Sequence, residues 1–349
     1  MESHGEGLPD PGLGPVEWIL ANVRLRPSSA AEFWYDRMES QSGRRLPVIY
    51  EPFDGRNPGH FADRGQILDF ASVAGGGRVL DFGPGDGWPA LLMAPLADEV
   101  VGVDGSRRRV EVCADNARRL GLGDARFVHV PPGQPLPLED GSFGGATASS
   151  SVEQTPDPRA TLRELCRVLA PGGRLRMHYE SLAYYRGRGE RALALGDRGE
   201  GPTRLLVFNR RIDEERVHHY GLLVDFSGAE VEEVFSRDGS RPSYVGLTPR
   251  VLAELRAHLV DAATWTTLHL SCRTLLGWLV EAGFRSATPT YDGGWLARRL
   301  FERLPEAERP VEMSAVDRLL RPLVEVVAGM EAPSAARPGE WEPWVTAVK

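Results

Sequence analysis

The feature that most constrains the fold of this chain is a glycine-rich turn directly after an apolar run, in VLDFGPGDGW (79–88). The apolar residues before the turn predict the end of a buried parallel strand, and the helix-forming segment ALLMAPLA follows the turn. Gly83, Gly85 and Gly87 alternate with other residues within it. Glycine lets backbone N–H groups approach a ligand without interference from a Cβ atom, and the next helix directs its N-terminus at the same place. The stretch therefore predicts a ligand cradle at the carboxyl end of a strand in an α/β sheet.

Two common phosphate-binding motifs do not fit this turn. The dinucleotide motif G-x-G-x-x-G requires a small third residue where helix and strand pack closely, but that position, counted from Gly83, is Trp88. The P-loop requires Gly-Lys-Ser/Thr, and the single lysine of the chain is Lys349. The turn is therefore neither a dinucleotide fingerprint nor a P-loop.

The turn instead carries the pattern D-x-G-x-G-x-G, formed by Asp81, Gly83, Gly85 and Gly87. This pattern resembles the first motif of the class I (Rossmann-like) S-adenosylmethionine-dependent methyltransferases. The resemblance implies an α/β fold with a doubly wound, seven-stranded, mostly parallel sheet, and S-adenosylmethionine as the cofactor. It also implies that the glycine turn meets the methionine tail and the ribose, while Asp81 helps to hold the ammonium group.

The run EVVGVD (99–104) predicts a second strand that ends at Asp104. An acidic residue at the end of the second strand, about 20 residues beyond the glycine turn, suits recognition of ribose hydroxyls. A carboxylate accepts from both hydroxyls, and each charge-assisted hydrogen bond contributes about 1.5–3 kcal/mol net. The alternative is a helix N-cap, which either Asp104 or Ser106 could form. We expect Asp104 to bind the ribose.

Further along the chain, the resemblance narrows to the type 11 group of this superfamily. The segments LPL (136–138) and DGSF (140–143) match the group's “DAExLPFPDGSFD”. The segment from PDP (156–158) to PGG (171–173) matches its “PDPxxALREIxRVLKPGGRLxI”. Much of the second match is architectural, because PGG forms the turn into a fifth strand and the apolar residues before it pack a helix on the sheet.

Two departures from the type 11 pattern affect the site. Pro132 stands where the group often has an acid beside the adenine amine, which makes Gln134 the candidate for an adenine or ribose contact. Gln154 occupies the group's histidine position and Glu153 precedes it, so Glu153 is the candidate acid/base group. Ser150, at the carboxyl end of the predicted fourth strand, is assigned to the cofactor site.

The predicted fifth strand (175–179) leads into further candidates for the site, because strand ends line the ligand crevice of such sheets. Tyr184 and Tyr185 are catalytic candidates, since tyrosine faces hold a sulfonium by cation–π attraction and a tyrosine hydroxyl can act as a base. His178 lies at the same strand end, where a histidine is more often a hydrogen-bonded structural group.

The sequence predicts four segments: an N-terminal helical cap (1–70), the S-adenosylmethionine-binding core (71–185), an α+β insert after the fifth strand (186–270), and the completion of the core (271–349). In the insert, LLVFNRRI, RVHHYGLLVDF and AEVEEVF predict strands and residues 248–263 predict a helix. The insert is a substrate lid or, as the structural alternative, an element of a homodimer. The final segment WVTAVK resembles the superfamily's last, antiparallel strand.

Composition narrows the class of protein further. The apolar fraction of 42% and the charged fraction of 26% are typical of a soluble globular protein, and a net charge of −8 argues against a nucleic-acid partner. The start of the chain lacks the basic and apolar regions of a secretory signal, and no apolar run approaches the roughly 18 residues that span a bilayer. No metal-ligand spacing such as H-x-x-x-H or C-x-x-C occurs. We therefore expect a cytoplasmic, metal-independent enzyme without a membrane partner.

The leading hypothesis for function is methyl transfer from S-adenosylmethionine to a small-molecule acceptor. The alternative uses the same binding residues but cleaves the sulfonium on its other side. That reaction cyclises the aminobutyrate portion to an aminocyclopropane- or azetidine-carboxylate and releases methylthioadenosine. A third hypothesis is a non-catalytic cofactor-binding subunit that supports a partner protein.

Overall fold

A computed structural model describes residues 14–36, 64–74, 77–179, 191–196, 201–211, 215–290, 292–312, 315–316, 318–323 and 344–349. The chain divides into two compact units. The insert unit comprises residues 1–40 and 186–267, and the core unit comprises residues 41–185 and 268–349. The predicted segments 1–70 and 186–270 and their roles as cap and lid stay predictions. None of the helices in the described ranges is long and apolar enough to cross a membrane.

The described residues include nine α-helices and twelve strands whose bounds are as follows. The helices are α1 (Pro15–Asn22), α2 (Ile67–Ala74), α3 (Ala90–Met93), α4 (Arg107–Leu120), α5 (Pro158–Val168), α6 (Gly228–Arg237), α7 (Pro249–Ala257), α8 (Cys272–Glu281) and α9 (Gly293–Arg303). The strands are β1 (Arg26–Pro27), β2 (Arg78–Phe82), β3 (Glu99–Asp104), β4 (Ala125–His129), β5 (Phe143–Ser149), β6 (Leu169–His178), β7 (Arg191–Gly196), β8 (Thr203–Arg211), β9 (Arg216–Val224), β10 (Leu259–Leu268), β11 (Ser286–Thr290) and β12 (Trp344–Val348).

The core unit is built on a seven-stranded sheet with the order β11-β12-β6-β5-β2-β3-β4. All its strands are parallel except β12, which runs antiparallel to both β6 and β11. Trp344 pairs with His178 on one side and with Thr290 on the other. The predicted fold class, a doubly wound and mostly parallel sheet with a final reversed strand, is confirmed.

Helices cover both faces of this sheet, which explains why its strands are apolar runs. On one face, Leu165 of α5 and Leu279 of α8 belong to the same buried cluster as Leu80 of β2. On the other face, Phe70 of α2 clusters with Val79 of β2. Val79 and Leu80 are neighbours in β2 but belong to different clusters, because successive side chains of a strand point to opposite faces of the sheet.

One row of buried side chains across the sheet is polar rather than apolar. The row consists of Asp81, Thr147, Arg176 and Thr346, which lie opposite one another in register on β2, β5, β6 and β12. Thr147 Oγ1 donates to Asp81 Oδ1 at 2.9 Å, and Arg176 Nη1 donates to Thr346 Oγ1 at 3.1 Å. Asp69 of α2 forms an ion pair with Arg176. Each of these buried side chains therefore has at least one hydrogen-bond or ion-pair partner.

The insert unit contains a second sheet with the order β1-β10-β9-β8-β7, in which β7, β8 and β9 pair antiparallel and β1 pairs parallel with β10. Two predictions for this unit are wrong. AEVEEVF lies in α6, because Ser227 and Glu230 form a capping box and the apolar residues follow helical spacing. The helix predicted for 248–263 ends at Ala257, and β10 begins at Leu259.

Candidate functional site

The glycine loop, residues 83–87, requires glycine for its backbone shape. Gly83, Gly85 and Gly87 have φ angles of 75°, 61° and 112°, in the region that other residues rarely adopt. An added Cβ at Gly83 would lie 2.4 Å from the Cβ of Ser151, so the space there is also closed. An added Cβ at Gly85 would meet nothing within 4 Å. The loop is thus packed on one side and open beside Gly85.

Strand β3 and helix α4 hold this loop in place. Gly83 N donates to the carbonyl oxygen of Val103 at 2.8 Å. From α4, the thiol of Cys113 donates to the carbonyl oxygen of Gly85 at 3.2 Å, and Asn116 Nδ2 donates to that of Asp86 at 2.8 Å. Burial raises the pKa of the Cys113 thiol well above its usual value, so this thiol stays protonated and remains a donor. The loop is therefore held at its first residue, at its centre and at Asp86.

Asp81 is fully buried beneath the loop. Its Oδ2 accepts from Ala90 N at 2.8 Å and its Oδ1 accepts from Thr147 Oγ1 at 2.9 Å, so the carboxyl joins β2 to the first turn of α3 and to β5. Burial raises the pKa of this carboxyl from 3.8 to about 7, against the opposing effect of the two hydrogen bonds. This geometry makes Asp81 a group that positions the loop, and its contact with an ammonium group stays a prediction.

The raised pKa of Asp81 predicts a pH-dependent stability. The folded state holds the proton up to about pH 7, whereas the unfolded chain loses it near the ordinary value of 3.8. The protonated carboxyl therefore stabilises the folded state fully below pH 3.8, and this stabilisation is lost as the pH rises through about 7. Between pH 5 and 7, the advantage of wild type over Asp81→Asn should shrink by about 1.4 kcal/mol per pH unit. Urea denaturation of both proteins at pH values across this range measures the difference in their free energies of unfolding.

The control for this measurement is Ser142→Ala, which alters a side chain of the same unit that does not titrate. Its difference from wild type should not change with pH. A difference between wild type and Asp81→Asn that is equally constant from pH 5 to pH 8 would contradict the pKa shift assigned to Asp81.

Asp104 ends β3 beside the glycine loop and is only partly buried. Its Oδ1 accepts from Ser106 N at 2.8 Å, and its Oδ2 accepts from Gly85 N at 3.3 Å. The N-cap of α4 is Ser106, whose Oγ accepts from Arg109 N at 3.1 Å. Carboxylate oxygens at the carboxyl end of a strand are acceptors that suit the hydroxyl groups of a ligand. The role of Asp104 as the ribose ligand stays a prediction.

Ser150 and His178 lie at the carboxyl ends of β5 and β6, on the other side of β2. Ser150 has a φ angle of 48°, and its backbone N donates to the carbonyl oxygen of His178 at 2.8 Å. Ser150 Oγ and His178 Nδ1 are 3.2 Å apart. The next residue, Ser151, donates from Oγ to the carbonyl oxygen of Phe82 at 2.7 Å. The Ser150–His178 pair is therefore connected through Ser151 to the start of the glycine loop.

The family model described as “Methyltransferase domain” matches residues 80–177, which include the glycine loop, Asp104, Ser150 and most of β6. Residues 80–177 are a class I methyltransferase domain. S-adenosylmethionine is the cofactor that such a domain uses.

Two relatives and one solved structure show the extent of the similarity. “Methyltransferase GfsG” of Streptomyces halstedii is 38% identical over 111 residues, which are 32% of this chain and 40% of GfsG. The “27-O-demethylrifamycin SV methyltransferase” of Amycolatopsis mediterranei is 37% identical over 111 residues, covering 32% of this chain and 41% of that protein. The chain thus spans less than half the length of these relatives. An S-adenosylmethionine-dependent methyltransferase of Clostridium acetobutylicum aligns with a TM-score of 0.46 at 9% identity, over 85% of this chain and 92% of that one.

The residues of the methyltransferase domain fit S-adenosylmethionine. The open side at Gly85 leaves room where a side chain would otherwise stand, and the Asp104 carboxylate lies next to it. Both lie at the carboxyl edge of the sheet, next to the point between β2 and β5 where the strand order reverses. Ligands of open α/β sheets bind at such a switch point.

Glu153 and Gln134, two further residues predicted for the site, differ in their exposure to solvent. Glu153 lies in the 3₁₀ turn Val152–Gln154 and is 4% exposed, whereas Gln134 is exposed in the turn after β4. Gln154 donates from Nε2 to the carbonyl oxygen of Ser150 at 2.5 Å. Tyr184 and Tyr185 lie outside the described residues. The roles assigned to Glu153, Gln134 and the two tyrosines stay predictions.

The structure adds supporting residues that the sequence did not single out. Cys113 and Asn116 are three positions apart on α4, so both face the glycine loop. Cys113 lies among apolar residues at helical spacing in the sequence, which indicates packing, and only the polar Asn116 on the same face indicates a further role. The sequence does not indicate a role for Ser151, because its hydrogen bond is to a backbone carbonyl of β2, which any residue would supply. In the part of the chain that the structure describes, no three His, Cys, Asp or Glu side chains cluster as metal ligands do.

Proposed function

We propose that this protein transfers the methyl group of S-adenosylmethionine to a small-molecule acceptor. The observation that carries the proposal is the glycine loop, open beside Gly85 and flanked by Asp104, within a domain that matches the methyltransferase family model. A net charge of −8 favours a small molecule over a nucleic acid as the acceptor.

In this proposal, Asp104 and the glycine loop bind and orient the methyl donor, and they do not activate it chemically. Asp104 accepts hydrogen bonds from the ribose hydroxyls, and the buried Asp81 keeps the loop and α3 aligned through Ala90 N. Bound S-adenosylmethionine supplies a methyl group on a positively charged sulfur, which is activated without help from the protein. Alignment of the reacting atoms contributes roughly 7–11 kcal/mol in the most favourable cases.

Other parts of the proposal rest on the sequence. Ser150 and Gln134 contact the cofactor, and Glu153, Tyr184 or Tyr185 assists the reaction. The insert of residues 186–270 is a substrate lid or an element of a homodimer. The protein works without a metal ion in the cytoplasm, in the biosynthesis of a small molecule.

The experiment that tests the proposed function asks which carbon–sulfur bond breaks. The purified protein is incubated with S-adenosylmethionine alone and then with phenols, alcohols and amines as acceptors, and the nucleoside products are identified. We expect almost no S-adenosylhomocysteine without an acceptor, and its formation with an accepted compound. The result should not change with excess EDTA. Rapid release of methylthioadenosine without an acceptor would instead support the cyclising reaction, and binding without any turnover would support the non-catalytic role.

A further inference from the structure

His129 is the last residue of β4 and lies next to Asp104 on the sheet. The two residues are paired in register between the parallel strands β3 and β4. An added Cβ at Gly102 would lie 2.4 Å from Cδ1 of Phe127, so these two positions share one face of the sheet. Asp104 and His129 each follow two residues later and therefore project from that same face. Because neighbouring strands lie about 4.8 Å apart, His129 is one such spacing further from the glycine loop than Asp104.

The imidazole ring of His129 has a defined orientation. Its Nε2 lies 3.2 Å from the carbonyl oxygen of Gly105, in the turn between β3 and α4. A carbonyl oxygen can only accept, so Nε2 carries the proton, and in the neutral ring Nδ1 keeps its lone pair as an acceptor. The same turn orients the Asp104 carboxylate, whose Oδ1 accepts from Ser106 N at 2.8 Å. His129 and Asp104 are thus held by one turn.

The other ring nitrogen of His129, Nδ1, is open to a ligand. The contact with Gly105 does not use this nitrogen, and His129 is only partly buried at the carboxyl edge of the sheet. Within the ranges that the structure describes, no group donates a hydrogen bond to Nδ1. A ligand group that meets this nitrogen must therefore present an N–H or O–H donor.

We infer that Nδ1 of His129 accepts a hydrogen bond from the 6-amino group of the cofactor's adenine, and that it thereby selects adenine over other bases. This inference rests on the proposed function, in which Asp104 binds the ribose. In S-adenosylmethionine the ribose joins the sulfonium portion to the adenine. The glycine loop lies on one side of Asp104, so the side on which His129 lies remains for the base.

The segment after β4 also favours an amine over a carbonyl group at this place. Pro131 and Pro132 have no backbone N–H and no polar side chain, so both positions offer only carbonyl acceptors. The lone pair of His129 Nδ1 is a further acceptor. The amino group of adenine has two donors that suit these acceptors, whereas a base with a carbonyl oxygen in its place would meet acceptors alone.

Calorimetric titration at pH 8 tests this role by comparing S-adenosylhomocysteine with S-inosylhomocysteine, in which a carbonyl oxygen replaces the 6-amino group. We expect wild type to bind the amine at least about tenfold more tightly, because the oxygen would face the lone pair of Nδ1. His129→Phe keeps a ring without a nitrogen, and the preference should fall to about threefold or less. His129→Asn is the matched variant: it also loses the ring nitrogens, but its Oδ1 is an acceptor in place of Nδ1, and it should keep most of the preference.

The same titrations separate recognition from folding. The affinity of His129→Phe for S-inosylhomocysteine should not fall below that of wild type, whereas a damaged fold would weaken the binding of both compounds. Asp124→Ala, at the amino end of the same strand, should leave both affinities unchanged. No preference in wild type, an undiminished preference in His129→Phe, or its loss in Gln134→Ala instead would overturn the role of His129 while the proposed function stands. Failure of the wild type to bind S-adenosylhomocysteine would count against the proposed function itself.

Discussion

Arg176→Met is expected to lower the free energy of unfolding by about 3–5 kcal/mol, because it leaves a buried carboxylate without its ion-pair partner. Arg176 and Asp69 have side-chain exposures of 1% and 0%. Arg176 also donates from Nη1 to Thr290 Oγ1 at 2.6 Å and to Thr346 Oγ1 at 3.1 Å. The backbone N of Gly293 donates to Asp69 at 2.8 Å. The pair thus connects α2, β6, β11, β12 and the start of α9, and its loss affects all five elements.

Urea denaturation at pH 7 measures this effect, with Arg159→Met as the matched control. Arg159 pairs with Glu281 on the surface, where the two side chains are 50% and 57% exposed, so its loss should cost less than about 1 kcal/mol. The double variant Asp69→Leu/Arg176→Met removes both charges and should recover part of the loss. A free energy of unfolding of Arg176→Met within about 1 kcal/mol of wild type would show that the buried pair does not hold these elements together.

Gly83→Ala is expected to weaken S-adenosylmethionine binding about a hundredfold or more, equivalent to about 2.7 kcal/mol. The left-handed φ angle of 75° costs an alanine about 1–2 kcal/mol. In addition, the new Cβ would lie 2.4 Å from the Cβ of Ser151, whose Oγ is bonded to the carbonyl oxygen of Phe82. Because Ser151 is held there, the loop itself has to move, and the position of Gly85 moves with it.

The matched control is Gly121→Ala, at the C-terminus of α4. Gly121 has a φ angle of 70°, and an added Cβ there would meet nothing within 4 Å. It therefore carries the same backbone cost without the clash, and it should lower stability while leaving the affinity for S-adenosylmethionine unchanged. Calorimetric titration of both variants makes the comparison. An affinity of Gly83→Ala within threefold of wild type would contradict the role assigned to the shape of the loop.

The sheet of the core unit could be predicted from the sequence because its strands are buried on both faces. VLDF and EVVGVD are apolar runs bounded by turn residues, and WVTAVK matches the place of the last strand. The insert unit was harder to predict, because its elements are amphipathic. AEVEEVF satisfies alternation over a few residues, but Val231, Val234 and Phe235 follow helical spacing and the cap at Ser227 decides the outcome.

The candidate site could be predicted only where the backbone itself carries the signal. Glycines at alternate positions and an acid at a strand end are visible in the sequence. The ion pair of Arg176 is not, because its partner Asp69 lies 107 positions earlier and a charged residue in a strand normally indicates exposure. The contact between Ser150 and His178 depends on the φ angle of Ser150 and on the pairing of β5 with β6, which no local pattern encodes.

Whether the glycine loop and Asp104 hold S-adenosylmethionine is tested most directly by isothermal titration calorimetry of wild type, Asp104→Ala and Asp124→Ala. Asp124 is exposed at the amino end of β4, at the opposite edge of the sheet, and serves as the control. We predict micromolar binding to wild type, affinity at least about tenfold weaker in Asp104→Ala, which corresponds to about 1.4 kcal/mol, and no change in Asp124→Ala. Unchanged affinity in Asp104→Ala would remove Asp104 from the ribose site, and tighter binding of NAD than of S-adenosylmethionine to wild type would contradict the assignment of the cofactor.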